Sequence, residues 1–151
     1  MNLSSKSGSK IIVLTVVFQD HTAEGDFQAA KLIFDRRLGY ATQMQRVRSL
    51  LLRAAHNPDA SVTPPSVILL QQVRNTVSLL PERDEGNLSP GMKSGLNFAK
   101  QWTLKQIARL ESGDMDIELQ RFPGPEPKPL GKVSVGLEYI VDKVDEILKN
   151  L

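Results

Sequence analysis

The sequence predicts a mainly α-helical fold with a small β element, an α+β arrangement of four to five helices beside a short two- or three-stranded sheet. Two observations support this class. Apolar residues recur at helical spacing through most of residues 27–112, whereas only 11–18 and 114–122 have strand character. Proline and glycine punctuation separates the helical stretches. The length of 151 residues is typical of a single domain, so we treat 11–122 as the core.

The N-terminal segment combines a polar tail with an apolar run. Residues 1–10 are rich in Ser, Lys and Gly, which indicates a flexible tail. Residues 11–18 are apolar except for Thr15 and do not alternate, so they predict a strand covered on both faces. The run is short and β-branched, which argues against a signal peptide. Residues 19–25 are expected to form a turn.

Two short helices are expected next. The first has an apolar stripe and is predicted to end at Gly39, because glycine commonly follows a helix C-terminus. The second has its own stripe and should end at Asn57-Pro58. Both stripes are one face wide, so each helix needs a partner to cover it. The stripes consist of Phe27, Ala30, Phe34 and Leu38, and of Met44, Val47, Leu51 and Ala54.

Two further helices carry clear start signals. Thr63-Pro64-Pro65 places a capping hydroxyl before prolines and predicts a helix that Pro81 closes. Ser89-Pro90 repeats the signal, and Gly113 predicts the end of that helix. The second of these helices has apolar residues on a wide arc, including Phe98 and Trp102, so we expect it to be central. The first has the stripe Val67, Leu70, Val73, Val77 and Leu80.

The C-terminal region changes in character. Residues 114–122 alternate between apolar and polar, which predicts a half-buried strand paired with 11–18. Residues 123–131 hold four prolines and two glycines and form a predicted linker. Residues 132–151 should dock on the core or on a partner. Both periodicities fit 132–141, and we favour a helix from about Leu137 onward.

An excess of positive charge in the first helical region is the strongest pointer to a partner. Six basic residues face one acidic residue, Asp35, between positions 31 and 53. Arginines on a helix can bind phosphates or carboxylates, so nucleic acid is one hypothesis. The alternatives are a solvated face, pairing with the acidic C-terminal residues, or an acidic protein partner. The six residues are Lys31, Arg36, Arg37, Arg46, Arg48 and Arg53.

Few residues are available for catalysis. The chain has no cysteine and only two histidines, which excludes thiol chemistry and makes a zinc site implausible. Asp114, Asp116 and Glu118 would share one face of a strand, and Asp20-His21 could add to them, but an amphipathic strand explains the carboxylates without a metal. No nucleotide-binding or hydrolase motif occurs. We therefore predict no catalytic residue, metal or cofactor, and identify no small-molecule substrate.

The second candidate site is an apolar stripe in the last segment, which can pack on its own domain or on another chain. It consists of Leu137, Ile140, Val144, Ile147 and Leu151. The predicted function is a non-catalytic interaction, assembly or regulatory module, with a protein partner or self-association. The alternatives are nucleic-acid binding through residues 31–53, and an enzyme with a carboxylate site. We expect no membrane segment, and an intracellular location, cytoplasmic or nuclear, from the missing cysteine and signal peptide.

Overall fold

The computed structural model describes residues 11–57, 65–82, 86–113 and 136–151. Four helices pack together beside a two-stranded antiparallel sheet, which confirms the predicted fold class. The predicted tail, the strand 114–122 and the linker 123–131 lie outside the described residues. The elements are β1 (Thr15–Val17), β2 (Ala23–Gly25), α1 (Phe27–Ala55), α2 (Val67–Ser78), α3 (Pro90–Ser112) and α4 (Leu137–Lys149).

The first strand differs from the prediction in length, partner and burial. Only Thr15–Val17 is regular strand, and it pairs with Ala23–Gly25, in the segment predicted as a turn. Val16 lies opposite Glu24 in this register. The prediction of a strand covered on both faces is wrong. Its partner strand is only three residues long. Among the described helices, only α1 packs substantially against β1.

One continuous helix replaces the two that were predicted between Phe27 and Ala55. Asp26 caps its start by accepting a hydrogen bond from the backbone N–H of Ala29 at 2.7 Å. The predicted break at Gly39 is wrong because this glycine serves a tertiary contact. A Cβ at position 39 would overlap the carbonyl oxygen of Met92 in α3, so the missing side chain permits close helix packing.

Helix α3 begins and ends where the sequence predicts. The Ser89 hydroxyl accepts a hydrogen bond from the Met92 N–H at 3.2 Å, and Pro90 is the first helical residue. Gly113 ends the helix in the left-handed conformation, with φ at 73°. Helix α2 is capped by Ser66, which accepts from the Leu69 N–H, while Thr63 and Pro64 lie outside the described residues.

The core is centred on α1, which packs against α2, α3 and α4. Helix α3, which the sequence predicts to be central, packs mainly on α1 and α2. No helix among the described residues is long and apolar enough to cross a bilayer. Fully buried side chains come from all four helices and include Met44, Leu51, Val77, Leu96, Ile107, Ile140 and Val144.

Candidate interaction surfaces

The six basic residues of the Arg hypothesis all lie on α1 but point in different directions. Successive residues of a helix are about 100° apart, so positions 31, 36 and 37 project from different faces. Lys31 forms an ion pair with Asp35 at 2.7 Å. The Arg36 guanidinium lies 5.3 Å from the centre of the Phe98 ring, a cation–π contact across α1 and α3.

Two of the arginines join α1 to other elements. Arg37 donates to the backbone carbonyls of Phe18 and Val17, at 3.2 and 3.4 Å, and thereby ties β1 to the helix. Arg48 donates to both carboxylate oxygens of Asp145 in α4, at 2.5 and 3.3 Å. This contact lowers the pKa of Asp145 and raises that of Arg48, chiefly through the shared hydrogen bonds. The predicted pairing with acidic C-terminal residues is thus present at one position.

The remaining two arginines, Arg46 and Arg53, lie on one side of the helix. Arg46 donates to the Gln43 side-chain oxygen at 3.3 Å, and Arg53 is exposed in the last turn of α1. Positions seven apart share a face, so these two side chains lie two turns apart on one side. The six residues therefore do not form one phosphate-binding face, and the Arg hypothesis stays a prediction with reduced support.

The C-terminal apolar stripe packs inside its own chain. Leu137, Ile140 and Val144 have 0–1% of their surface exposed and lie in the core against α1. Ile147 also packs against this core, and Leu151 is half-buried. The stripe is consequently not an exposed interaction surface, and the internal alternative is the one that the structure contains.

A different apolar surface is exposed at the other end of the chain. The side chains around β1, which the sequence assigned to a buried strand, project into solvent. Two residues from the predicted core stripe of α1, Phe27 and Leu38, are 79% and 58% exposed. We call the whole set the N-terminal apolar surface: Ile11 90%, Ile12 67%, Val13 71%, Leu14 67%, Val16 45% and Phe18 42% exposed, together with Phe27 and Leu38.

The turn between β1 and β2 contains the Asp20-His21 pair. Asp20 accepts hydrogen bonds from the Thr22 hydroxyl at 2.7 Å and the Thr22 N–H at 3.0 Å, and these bonds lower its pKa. His21 has a positive φ of 67°, which the turn requires. Both residues are fully explained by the turn, and their arrangement does not indicate acid–base catalysis.

A buried polar cluster, which sequence reasoning missed, fixes the segment after α2. The Gln43 amide donates to the Pro81 carbonyl at 2.8 Å. The Lys100 ammonium donates to the Leu80 carbonyl at 3.0 Å and pairs with Glu82 at 2.7 Å. Gln43 and Lys100 are buried, yet each has partners, so the cluster is structural. Their partners are distant in sequence, so no local pattern could reveal these contacts.

The described residues hold no group of three or more His, Asp or Glu side chains that could bind a metal. The carboxylates at 114, 116 and 118 lie outside those residues. Comparison with protein-family models, with curated proteins and with solved structures finds no match for this chain.

Proposed function

We propose that the protein is a non-catalytic interaction or assembly module that binds its partner through the N-terminal apolar surface. One observation supports the proposal above the others. Residues 11–18 have the composition of a buried strand, yet their large apolar side chains other than Val17 are 42–90% exposed. Large contiguous apolar patches are uncommon on monomers and commonly mark interaction sites.

The free energy available from this surface is substantial. Fully burying one Val, Leu, Ile or Phe side chain stabilises a complex by about 1.5–3 kcal/mol, before the entropic costs of association. The anchoring of β1 by Arg37 fixes the orientation of the surface relative to α1. A surface that is ordered before binding loses less conformational entropy on association.

Nucleic-acid binding has weaker support than a protein partner. The six basic residues are spread around α1, and Arg48 and Lys31 are paired with carboxylates. Binding a protein partner through the N-terminal apolar surface also requires no additional ligand and no catalytic residue. The proposed interaction surface therefore lies at the opposite end of the chain from the C-terminal stripe that the sequence indicates.

The test replaces Ile12 and Leu14 together by Ser, each 67% exposed. The matched control replaces Val67 and Ile68 by Ser, which are 68% and 69% exposed at the start of α2. Because all four side chains are exposed, both variants should retain the wild-type unfolding free energy to within about 0.5 kcal/mol per substitution.

The measurement is quantitative cross-linking of the three proteins in native extract, followed by identification of linked chains, including copies of the protein itself. We expect the Ile12/Leu14 variant to lose its linked partner and the Val67/Ile68 variant to keep it. Equal linkage in both variants, or no linked partner for the wild type, would contradict the proposal.

A further inference from the structure

We propose that the occupant of the N-terminal apolar surface is a second copy of this chain, added antiparallel along residues 11–15, the segment that leads into β1. This inference rests on the proposed function, because it names the partner of the same surface. The expected register is centred on Val13. It places Ile11 opposite Thr15 of the other copy and Ile12 opposite Leu14.

Backbone hydrogen bonds define which edge of β1 is available. The Leu14 carbonyl accepts from the Asp26 N–H at 3.0 Å, and the Phe18 N–H donates to the Thr22 carbonyl at 2.9 Å. The Leu14 carbonyl and the Phe18 N–H therefore point toward β2, and Val16 lies between them in the same ladder, opposite Glu24. In antiparallel pairing the intervening residues, Thr15 and Val17, direct their backbone groups to the opposite edge.

Arg37 limits this outer edge. It donates to the Val17 carbonyl, which points outward, and to the Phe18 carbonyl. Among the described residues, no hydrogen bond reaches the backbone of residues 11–13 or the outward backbone groups of Thr15. Unpaired backbone groups at a sheet edge are a template for another strand. The available length is thus residues 11–15, and its centre is Val13.

The side chains and charge of this segment favour a second copy. Residues 11–15 carry no charge and no proline, so antiparallel self-pairing sets aliphatic residues opposite one another without like-charge repulsion. The edge of β2 lacks this property, because self-pairing centred on Glu24 would oppose two carboxylates. Pairing of the two β1 edges is isologous and forms a closed dimer. It also adds a partner strand beside a two-stranded hairpin, which is marginal alone.

The first measurement is the solution mass across a range of protein concentrations. We expect it to rise from the chain mass of 16.8 kDa toward twice that value. Val13→Pro removes an outward N–H and should abolish the dimer, leaving a folded monomer with unchanged helical circular dichroism. Val67→Pro is the matched control. Val67 is the first residue of α2, where proline is tolerated, and is 68% exposed, against 71% for Val13. This control should keep the dimer.

The second measurement determines the register, and the natural absence of cysteine makes single labels unambiguous. In the proposed register the two Val13 Cα atoms are about 5.5 Å apart, which is within disulfide range. The two Ile11 Cα atoms are separated by four residues along the strands, roughly 13 Å, which is too far. We expect Val13→Cys to form a covalent dimer, and Ile11→Cys to do so only when mixed with Thr15→Cys.

The outcomes separate the two proposals. A monomer at every concentration, a dimer that survives Val13→Pro, or equal cross-linking at 11, 13 and 15 would each overturn self-pairing. If the chain is monomeric but the Ile12/Leu14 variant loses a different linked protein, self-pairing is wrong and the proposed function stands. If the chain is monomeric and no linked protein is lost, both are wrong.

Discussion

The carbonyl oxygen of Met92 occupies the space that a Cβ atom at position 39 would need. The converse relationship holds on α3, where a Cβ at Gly95 would overlap the Arg36 carbonyl oxygen of α1. The two helices consequently approach with backbone against backbone. This contact explains why a glycine persists in the middle of a 29-residue helix, where it costs about 0.5–1 kcal/mol relative to alanine.

Gly39→Ala should therefore destabilise the protein despite improving helix propensity. Overpacking of a close contact costs roughly 1–3 kcal/mol, which exceeds the propensity gain. The measurement is the free energy of unfolding from urea denaturation. Ser94→Ala, an exposed position in α3, is the control and should be neutral or slightly stabilising. A stabilised Gly39→Ala variant would show that the helices do not meet here.

Lys100→Met should destabilise the protein by about 1–3 kcal/mol. The change keeps most of the side-chain volume but leaves the Leu80 carbonyl and the Glu82 carboxylate without their shared donor. Lys105→Met removes an exposed lysine from the same helix and should change the unfolding free energy by less than about 0.5 kcal/mol. Equal effects of the two substitutions would mean that the Lys100 contacts contribute nothing.

The Arg48–Asp145 ion pair should make the α1–α4 contact sensitive to acid. Arg48 holds the pKa of Asp145 below its ordinary value of 3.8, so the folded state binds a proton less readily than the unfolded state. The stabilisation is present above pH 3.8 and is lost as the pH falls through the lower, folded-state pKa.

Arg48→Ala provides the comparison for this pH dependence. Wild type should be more stable than the variant near neutral pH, and the difference should diminish in strong acid. Chemical denaturation of both proteins at several pH values measures it. A difference that stays constant through the titration of Asp145 would contradict the assignment. High salt should weaken the pair as well, because both side chains are partly exposed.

Val144→Asp should destabilise the monomer by roughly 3–5 kcal/mol, because it places an uncompensated charge in the core. Val144 is fully buried between α4 and the rest of the bundle. The control Lys143→Asp lies on the exposed side of the same helix. It replaces a surface ion pair with Glu146 by a like-charge contact and should cost less than about 1 kcal/mol. A Val144→Asp variant of wild-type stability but reduced mass would instead place this stripe between chains.

Helix boundaries with local chemical signals could be predicted from the sequence. Ser89, Pro90 and Gly113 act within one turn of the helix ends, so their effect does not depend on the rest of the fold. The role of Gly39 could not be predicted, because its packing partner is distant in the chain. Gln43 was unpredictable for the same reason, since its acceptor on Pro81 is 38 residues away.

The N-terminal apolar surface shows a different limit of sequence patterns. An apolar run such as residues 11–18 predicts that a strand is to be covered, and the same composition serves burial within a chain and burial between chains. Only the fold shows that Ile11 and Val13 are exposed rather than buried among the described residues. The C-terminal stripe had the same ambiguity, but Val144 is fully buried within its own chain.

The Arg48–Asp145 contact has a consequence for the order of events in folding. Its two residues are 97 positions apart, so the chain must close a long loop before they meet. The loss of entropy on closure precedes any gain from the contact, which favours late docking of α4 onto a preformed arrangement of the other helices. We therefore expect substitutions at the α1–α4 contact to accelerate unfolding and to leave the refolding rate nearly unchanged.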